Sequence, residues 1–108
     1  MKPFLCLIAT FMLLVSNIAS AQDPLWLDVR TPEEFATEHL AQAENVPHQL
    51  VGEKISEYTT DKDAPIYLYC RSGNRASIAL SVLEEMGYTQ VVNLGSYEQA
   101  QAFSEAED

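Results

Sequence analysis

Apolar and polar positions alternate along this chain in blocks, and the period of each block predicts an element. Leu25-Trp26-Leu27 runs into Asp28 and Arg30, which predicts a short strand over Leu25–Arg30. Thr31 then stands as a helix N-cap, with Pro32 at the first helical position and Glu33 and Glu34 in the first turn. Ala43–Pro47 predicts a brief strand stopped by its proline. Residues 48–58 place Leu50, Val51, Ile55 and Tyr58 at helical spacing, and a polar turn follows. Pro65–Cys70 is a continuous apolar and aromatic run, the pattern of a strand buried on both faces. From Arg75 to Met86, residues Ile78, Ala79, Val82, Leu83 and Met86 share one helical side, and Gly87 stands where a C-cap glycine belongs. Gln90–Gly95 predicts a last strand and Tyr97–Phe103 a last short helix, with 104–108 an acidic, frayed tail. Strands alternating with helices predict an α/β domain with a small, mainly parallel sheet flanked by helices. Ligands of such sheets bind at the C-terminal strand ends. Cys70 is the last residue of the most apolar strand.

The first 21 residues follow a different pattern. Lys2 precedes an apolar stretch from Phe4 to Val15, and a short polar segment ends in Ala19-Ser20-Ala21. This is the three-part form of a secretory signal peptide, with cleavage expected before Gln22 and export to the periplasm. A stretch of twelve residues is too short for a membrane span, which needs about twenty. Residues 22–108 are then expected to form a single domain. Cys6 would leave with the signal, so Cys70 would be the one cysteine of the mature chain. An oxidising compartment with no intramolecular partner makes it a free reactive thiol or an intermolecular link.

Charge narrows the partners. The chain has 6 basic and 16 acidic residues, a formal charge of −10. Nucleic acid and anionic membranes are poor partners for it. Yet residues 64–83 contain no Asp or Glu, where an average window of that length would hold roughly four. Arg71 and Arg75 lie in that gap.

The segment Cys70-Arg71-Ser72-Gly73-Asn74-Arg75 therefore joins a strand end to a helix start. Such a helix end presents unpaired N–H groups and the positive end of a dipole. Tight turns can arrange successive N–H groups into an anion nest, and Gly73 permits the necessary backbone angles. A thiolate at that mouth would be favoured by the amides and by both arginines. A packed thiol beside a solvated loop is the plainer alternative.

These residues resemble the active-site loop of rhodanese-domain sulfurtransferases. The resemblance extends to Asp28–Pro47, with its D-V-R, E-F, histidine and N-V-P, and to Leu83–Ser96. The overall form is similar to periplasmic single-domain rhodaneses of the phage-shock-protein E type. The resemblance implies a rhodanese-like fold. It also implies a reaction in which Cys70, as nucleophile, takes a sulfane sulfur from a donor such as thiosulfate. The resulting persulfide passes its sulfur to cyanide or a thiol, and no cofactor is called for. By match to the motif, Arg71, Ser72, Gly73, Asn74 and Arg75 form the substrate cradle, with Arg75 closing it and Arg71 facing the donor. Gly95-Ser96 and Phe103 depart from the family, which often has a Gly-Gly pair and a tryptophan there.

Other readings compete. Cysteine phosphatases and arsenate reductases use a related cradle with C-x5-R spacing, whereas Cys70 to Arg75 is C-x4-R, a tighter ring. A non-catalytic binding or sulfur-carrier module is a second alternative. Autonomous thiol–disulfide exchange would require a resolving cysteine. Asp28 and Arg30 read as a structural ion pair supporting the loop, with Glu34 pairing to Arg30. Glu33, Glu34 and Glu38 otherwise form a solvated helix face. His39 and His48 have no partner at metal-ligand spacing, so no metal is expected. Trp26, Tyr67 and Tyr69 read as core.

Overall fold

The computed structural model describes residues 23–107, and the expected signal segment lies outside them. Four strands form one sheet: β1 (Leu25–Asp28), β2 (Ala43–Asn45), β3 (Ile66–Cys70) and β4 (Val91–Ser96). Their order is β2-β1-β3-β4, and every pairing is parallel. From β1 the chain moves outward to β2, and from β3 it moves outward the other way to β4. The crevice between the C-terminal ends of β1 and β3 is thus the topological switch point, where open α/β sheets bind ligands. Asp28 lies opposite Tyr69 there, one residue before Cys70.

Helices cover both faces: α1 (Pro32–Thr37), α2 (Val51–Lys54), α3 (Asn74–Glu85) and α4 (Tyr97–Glu107). Side-chain alternation along β3 divides the core. Ile66, Leu68 and Cys70 pack with Val51, Ile55, Ala76, Ala79 and Leu83 on one side. Tyr67 and Tyr69 pack with Trp26, Leu40, Ala100 and Phe103 on the other. This two-sided burial is what the continuous apolar run of β3 requires. Phe103 fills its layer by edge contact with Tyr67, ring centroids 5.3 Å apart, and lies 6.1 Å from Trp26.

The helix ends follow local sequence. Thr31 and Glu34 form a reciprocal capping box at the start of α1. Ser96 and Gln99 do the same for α4: Gln99 N donates to Ser96 Oγ at 3.1 Å, and Ser96 N to Gln99 Oε1 at 2.9 Å. Gly87 (φ 100°) ends α3, with Tyr88 N bonded to the Leu83 carbonyl and Gly87 N to that of Glu84. That pair of bonds is a Schellman closure.

Three elements differ from the sequence expectations. The 48–58 stretch is not one helix. It divides into a 3₁₀ turn (His48–Leu50), the single turn α2 and a second 3₁₀ turn (Ile55–Glu57). Gly52 at its centre weakens a continuous helix. A Cβ there would come within 3.1 Å of Val82, so the glycine lets this segment approach α3 closely. The buried face of α3 is Ala76, Ala79 and Leu83, while Ile78 is 53% and Met86 39% exposed. The two alanines let α3 lie close on β3, and that rotation turns Ile78 outward. Finally, α4 continues to Glu107, so residues 104–107, expected as a frayed tail, are helical. Gln42 Nε2 holds Ser104 Oγ at 2.8 Å and ties that turn to the segment before β2.

Candidate active site

Cys70 ends β3 with no exposed surface, and its Sγ accepts the Gly73 N–H at 2.9 Å. Gly73 has φ 102°, the left-handed region where glycine is unstrained. It occupies the N-cap position of α3, and no side chain caps that helix. The twelve-residue α3 therefore directs an uncapped N-terminal end at the loop. Arg71, Ser72 and Asn74 are exposed around it, and Arg75 is half-buried in the first turn.

A second wall comes from β4. Asn93 Nδ2 donates to the Gly73 carbonyl at 3.0 Å, and Asn93 Oδ1 accepts the Gly95 N–H at 2.8 Å. Gly95 (φ 95°) comes so close that a Cβ on Gly73 would lie 3.5 Å from its Cα. Sequence reading missed Asn93. Its signal was an Asn-x-Gly inside an apolar strand, where neither residue is at home.

Beneath the crevice, Asp28 and Arg30 form a buried, two-point pair. Arg30 Nη2 and Nε lie 2.7 and 3.1 Å from Asp28 Oδ2, and Nε lies 3.0 Å from Oδ1. Asp28 is fully buried and Arg30 nearly so. Asp28 Oδ1 also accepts the Arg30 N–H, and Arg30 Nη2 reaches the Glu38 carbonyl at 2.6 Å. Hydrogen bonding to Asp28 raises the guanidinium above its ordinary value, against the opposing effect of burial. The same guanidinium lies 5.2 Å from the Tyr97 ring centroid. Asn45 Nδ2 donates to the carbonyls of Asp28 and Arg30, fixing the end of β1. Behind them, burial pushes the Tyr69 phenol up, and its oxygen accepts the Leu40 N–H.

Glu34 corrects two expectations. Its hydrogen-bonded ion pair is with Arg75, not Arg30, and it is not part of a solvated face. Arg75 Nη1 and Nη2 lie 2.8 and 3.2 Å from Glu34 Oε1 and Oε2. Arg71 Nη1 approaches Oε2 at 4.0 Å. The acid-free window of sequence is therefore not acid-free in space, because α1 brings a carboxylate to it. Asp28 already satisfies Arg30, which leaves Arg75 as the half-buried cation within reach of α1.

The Arg75 hydrogen bonds, aided by the Thr31 backbone, hold the Glu34 carboxyl down at about 2, against an ordinary 4.5. Because the folded value is depressed, the stabilisation is complete above about 4.5 and disappears as pH falls through about 2. Glu34→Gln retains a capping-box acceptor but loses the charge. It should cost about 1 kcal/mol at neutral pH. Its denaturant midpoint should also vary less than wild type between those two pH values. A parallel acid profile would show that the pair contributes nothing.

Beside the loop lies an open depression of about 450 Å³, lined by Arg30, Glu34, Glu38, Arg71, Tyr97 and Glu98. The structure thus brings Cys70, Gly73, Arg75, Arg71 and Glu34 together at the switch point and keeps Asp28–Arg30 beneath them. His39 instead stacks on Phe35, ring centroids 3.6 Å apart.

Known proteins share this fold. A family model described as a rhodanese-like domain matches residues 13–102. The Escherichia coli thiosulfate sulfurtransferase PspE is 41% identical over 70 residues, covering 65% of this chain and 67% of PspE. A sulfurtransferase of Allochromatium vinosum is 37% identical over 81 residues, covering 75% of this chain and 74% of that protein. A solved E. coli rhodanese with anions superposes with a TM-score of 0.69 at 38% identity, over 71% of this chain and 91% of that one. Matched along most of its length in sequence and in fold, the chain belongs to the rhodanese-like domain family.

Proposed function

We propose that this protein is a sulfurtransferase that carries a sulfane sulfur on Cys70. The observation that carries this reading is the Cys70 sulfur itself. It ends the central strand, accepts a loop N–H at 2.9 Å and faces an uncapped helix N-terminus. That environment suits a sulfur anion without a histidine base. The relatives named above, both called sulfurtransferases, support the same class of reaction.

In the first step the Cys70 thiolate attacks the outer sulfur of thiosulfate. A Cys70 S–S bond forms, the donor's S–S bond breaks, and sulfite leaves with that electron pair. In the second step a cyanide ion or thiolate attacks the outer sulfur of the persulfide. The S–S bond to Cys70 breaks, and its electron pair restores the Cys70 thiolate. Atoms, charge and oxidation state balance over the two steps.

Incubation of the intact protein with thiosulfate should add the mass of one sulfur atom and release one equivalent of sulfite. No adduct on protein with a verified free thiol would overturn the reading. Arg75→Ala should lower kcat/KM for thiosulfate about tenfold or more, because it removes a cation and leaves Glu34 facing the anion. Lys62→Ala should have little effect. Lys62 packs 4.2 Å from the Tyr88 ring and near Gly87, at the far end of α3. Equal effects of the two changes would show that the cradle does not select the anion. We place the activity in the periplasm on the pattern of residues 1–21, and N-terminal sequencing of the exported protein should begin at Gln22.

A further inference from the structure

The depression beside the loop has an uneven charge. Of its two arginines, Arg30 is neutralised by the buried Asp28. Of its three carboxylates, Glu34 is neutralised by Arg75. Three charges remain: Arg71, whose side chain is 81% exposed, and the exposed Glu38 and Glu98. Among the described residues neither Glu38 nor Glu98 takes part in an ion pair. Their backbones are fixed. The Glu38 carbonyl receives Arg30 Nη2, and Glu98 lies within the Ser96–Gln99 capping box of α4. Glu98 also suits the first turn of its own helix, but that role does not account for Glu38 at the end of α1. The depression meets the loop at Arg71, the residue after Cys70, so an acceptor entering it meets one cation and two carboxylates.

From this cavity and its pairing pattern we infer that the preferred sulfur acceptor is a small aminothiol, a thiol carrying an ammonium group, rather than a neutral or acidic thiol. The inference rests on the sulfurtransferase reading and concerns only its second step. The acceptor's thiol loses its proton to solvent and attacks the outer sulfur of the Cys70 persulfide. A new S–S bond forms on the acceptor, and the old one breaks toward Cys70. The ammonium group takes no part in the bond changes. It is held by Glu38 and Glu98, while Arg71, exposed and no nearer than 4.0 Å to Glu34, can turn to a carboxylate on the same molecule.

The test loads the full mature protein with thiosulfate, verifies the adduct by mass, removes free donor and follows loss of the adduct. The probes are cysteamine, 2-mercaptoethanol and 3-mercaptopropionate, each rate corrected for its thiolate fraction. Cysteamine should react about fivefold faster than 2-mercaptoethanol, the factor one charge pair about 4 Å apart gives in water. 3-Mercaptopropionate should be the slowest. The E38Q/E98Q double variant should bring the cysteamine preference close to one, as should about 1 M salt. Intrinsic thiol reactivity is common to wild type and variant, so the change in ratio isolates the two carboxylates. Both positions are exposed, and an unchanged thermal midpoint verifies the fold. An adduct that forms normally but shows the same preference in wild type and variant overturns this inference alone. Failure to form the adduct overturns the sulfurtransferase reading and the inference with it.

Discussion

Cys70→Ser is expected to abolish sulfur transfer while leaving the fold in place. Serine is nearly isosteric with cysteine, and its Oγ can accept the Gly73 N–H that Sγ accepts now. The site is fully buried within the β3 layer, where a volume-conserving change disturbs packing little. A hydroxyl there satisfies one hydrogen bond and stays neutral, so it offers no anion to attack the donor and no sulfur to carry. Loss of the nucleophile should lower turnover by about 10⁴-fold or more, as removal of a covalent catalyst does elsewhere. Thiocyanate formation from thiosulfate and cyanide measures this, with mass analysis alongside. Unfolding free energies from urea titration of wild type and variant should agree to within about 1 kcal/mol. A variant that still gained the mass of a sulfur, or still turned over, would remove Cys70 from the centre of the mechanism.

The largest effect on stability is expected from Arg30→Ala. Asp28 has no exposed surface, and Arg30 supplies most of the hydrogen bonds to its carboxylate. Removing the guanidinium strands a charge in the interior, which typically costs about 3–5 kcal/mol. It also deprives the Glu38 carbonyl of its donor and the Tyr97 ring of its cation. A small domain has about 5–15 kcal/mol in total, so the thermal midpoint should fall by more than about 10 °C. Asp28→Asn together with Arg30→Ala should recover part of the loss, since a neutral amide is easier to bury than an unpaired carboxylate. The double-mutant cycle then gives the coupling between the two residues. A loss below about 1 kcal/mol in the single variant would mean that water or another cation already compensates Asp28.

Much of this molecule is legible in its sequence because the signals are local. β3 announces itself by six apolar and aromatic residues in a row, and the loop by a glycine between two arginines beside a strand end. The caps Thr31 and Gly87 also act within a few residues of themselves. What escaped reading acts across the fold. Glu34 meets Arg75 forty-one residues away, a partnership set by the packing of α1 against the switch point. Within its own segment Glu34 reads simply as an acid in a first turn, which it also is. Asn93 holds the loop from another strand, and the chain that places it there is a crossover helix away. Ile78 was misplaced because Ala76 and Ala79, which set the approach of α3, carry weak hydrophobic signals of their own. Local periodicity finds an amphipathic helix, but the volume of the facing strand decides which few degrees of it are buried.

The missing cap on α3 has a consequence for anyone who would make this protein more robust. Both α1 and α4 begin with reciprocal capping boxes, whereas α3, the longest helix described, begins at a bare glycine with no acid in its first turn. Screens for heat tolerance favour new caps and first-turn carboxylates, which commonly add about 0.5–2 kcal/mol apiece. At positions 73–76 those same gains would occupy the N–H groups and cancel the positive field that Cys70 faces. Here the easiest route to a tougher fold passes through its working end, so thermostable variants selected without an activity screen should accumulate their losses at that turn.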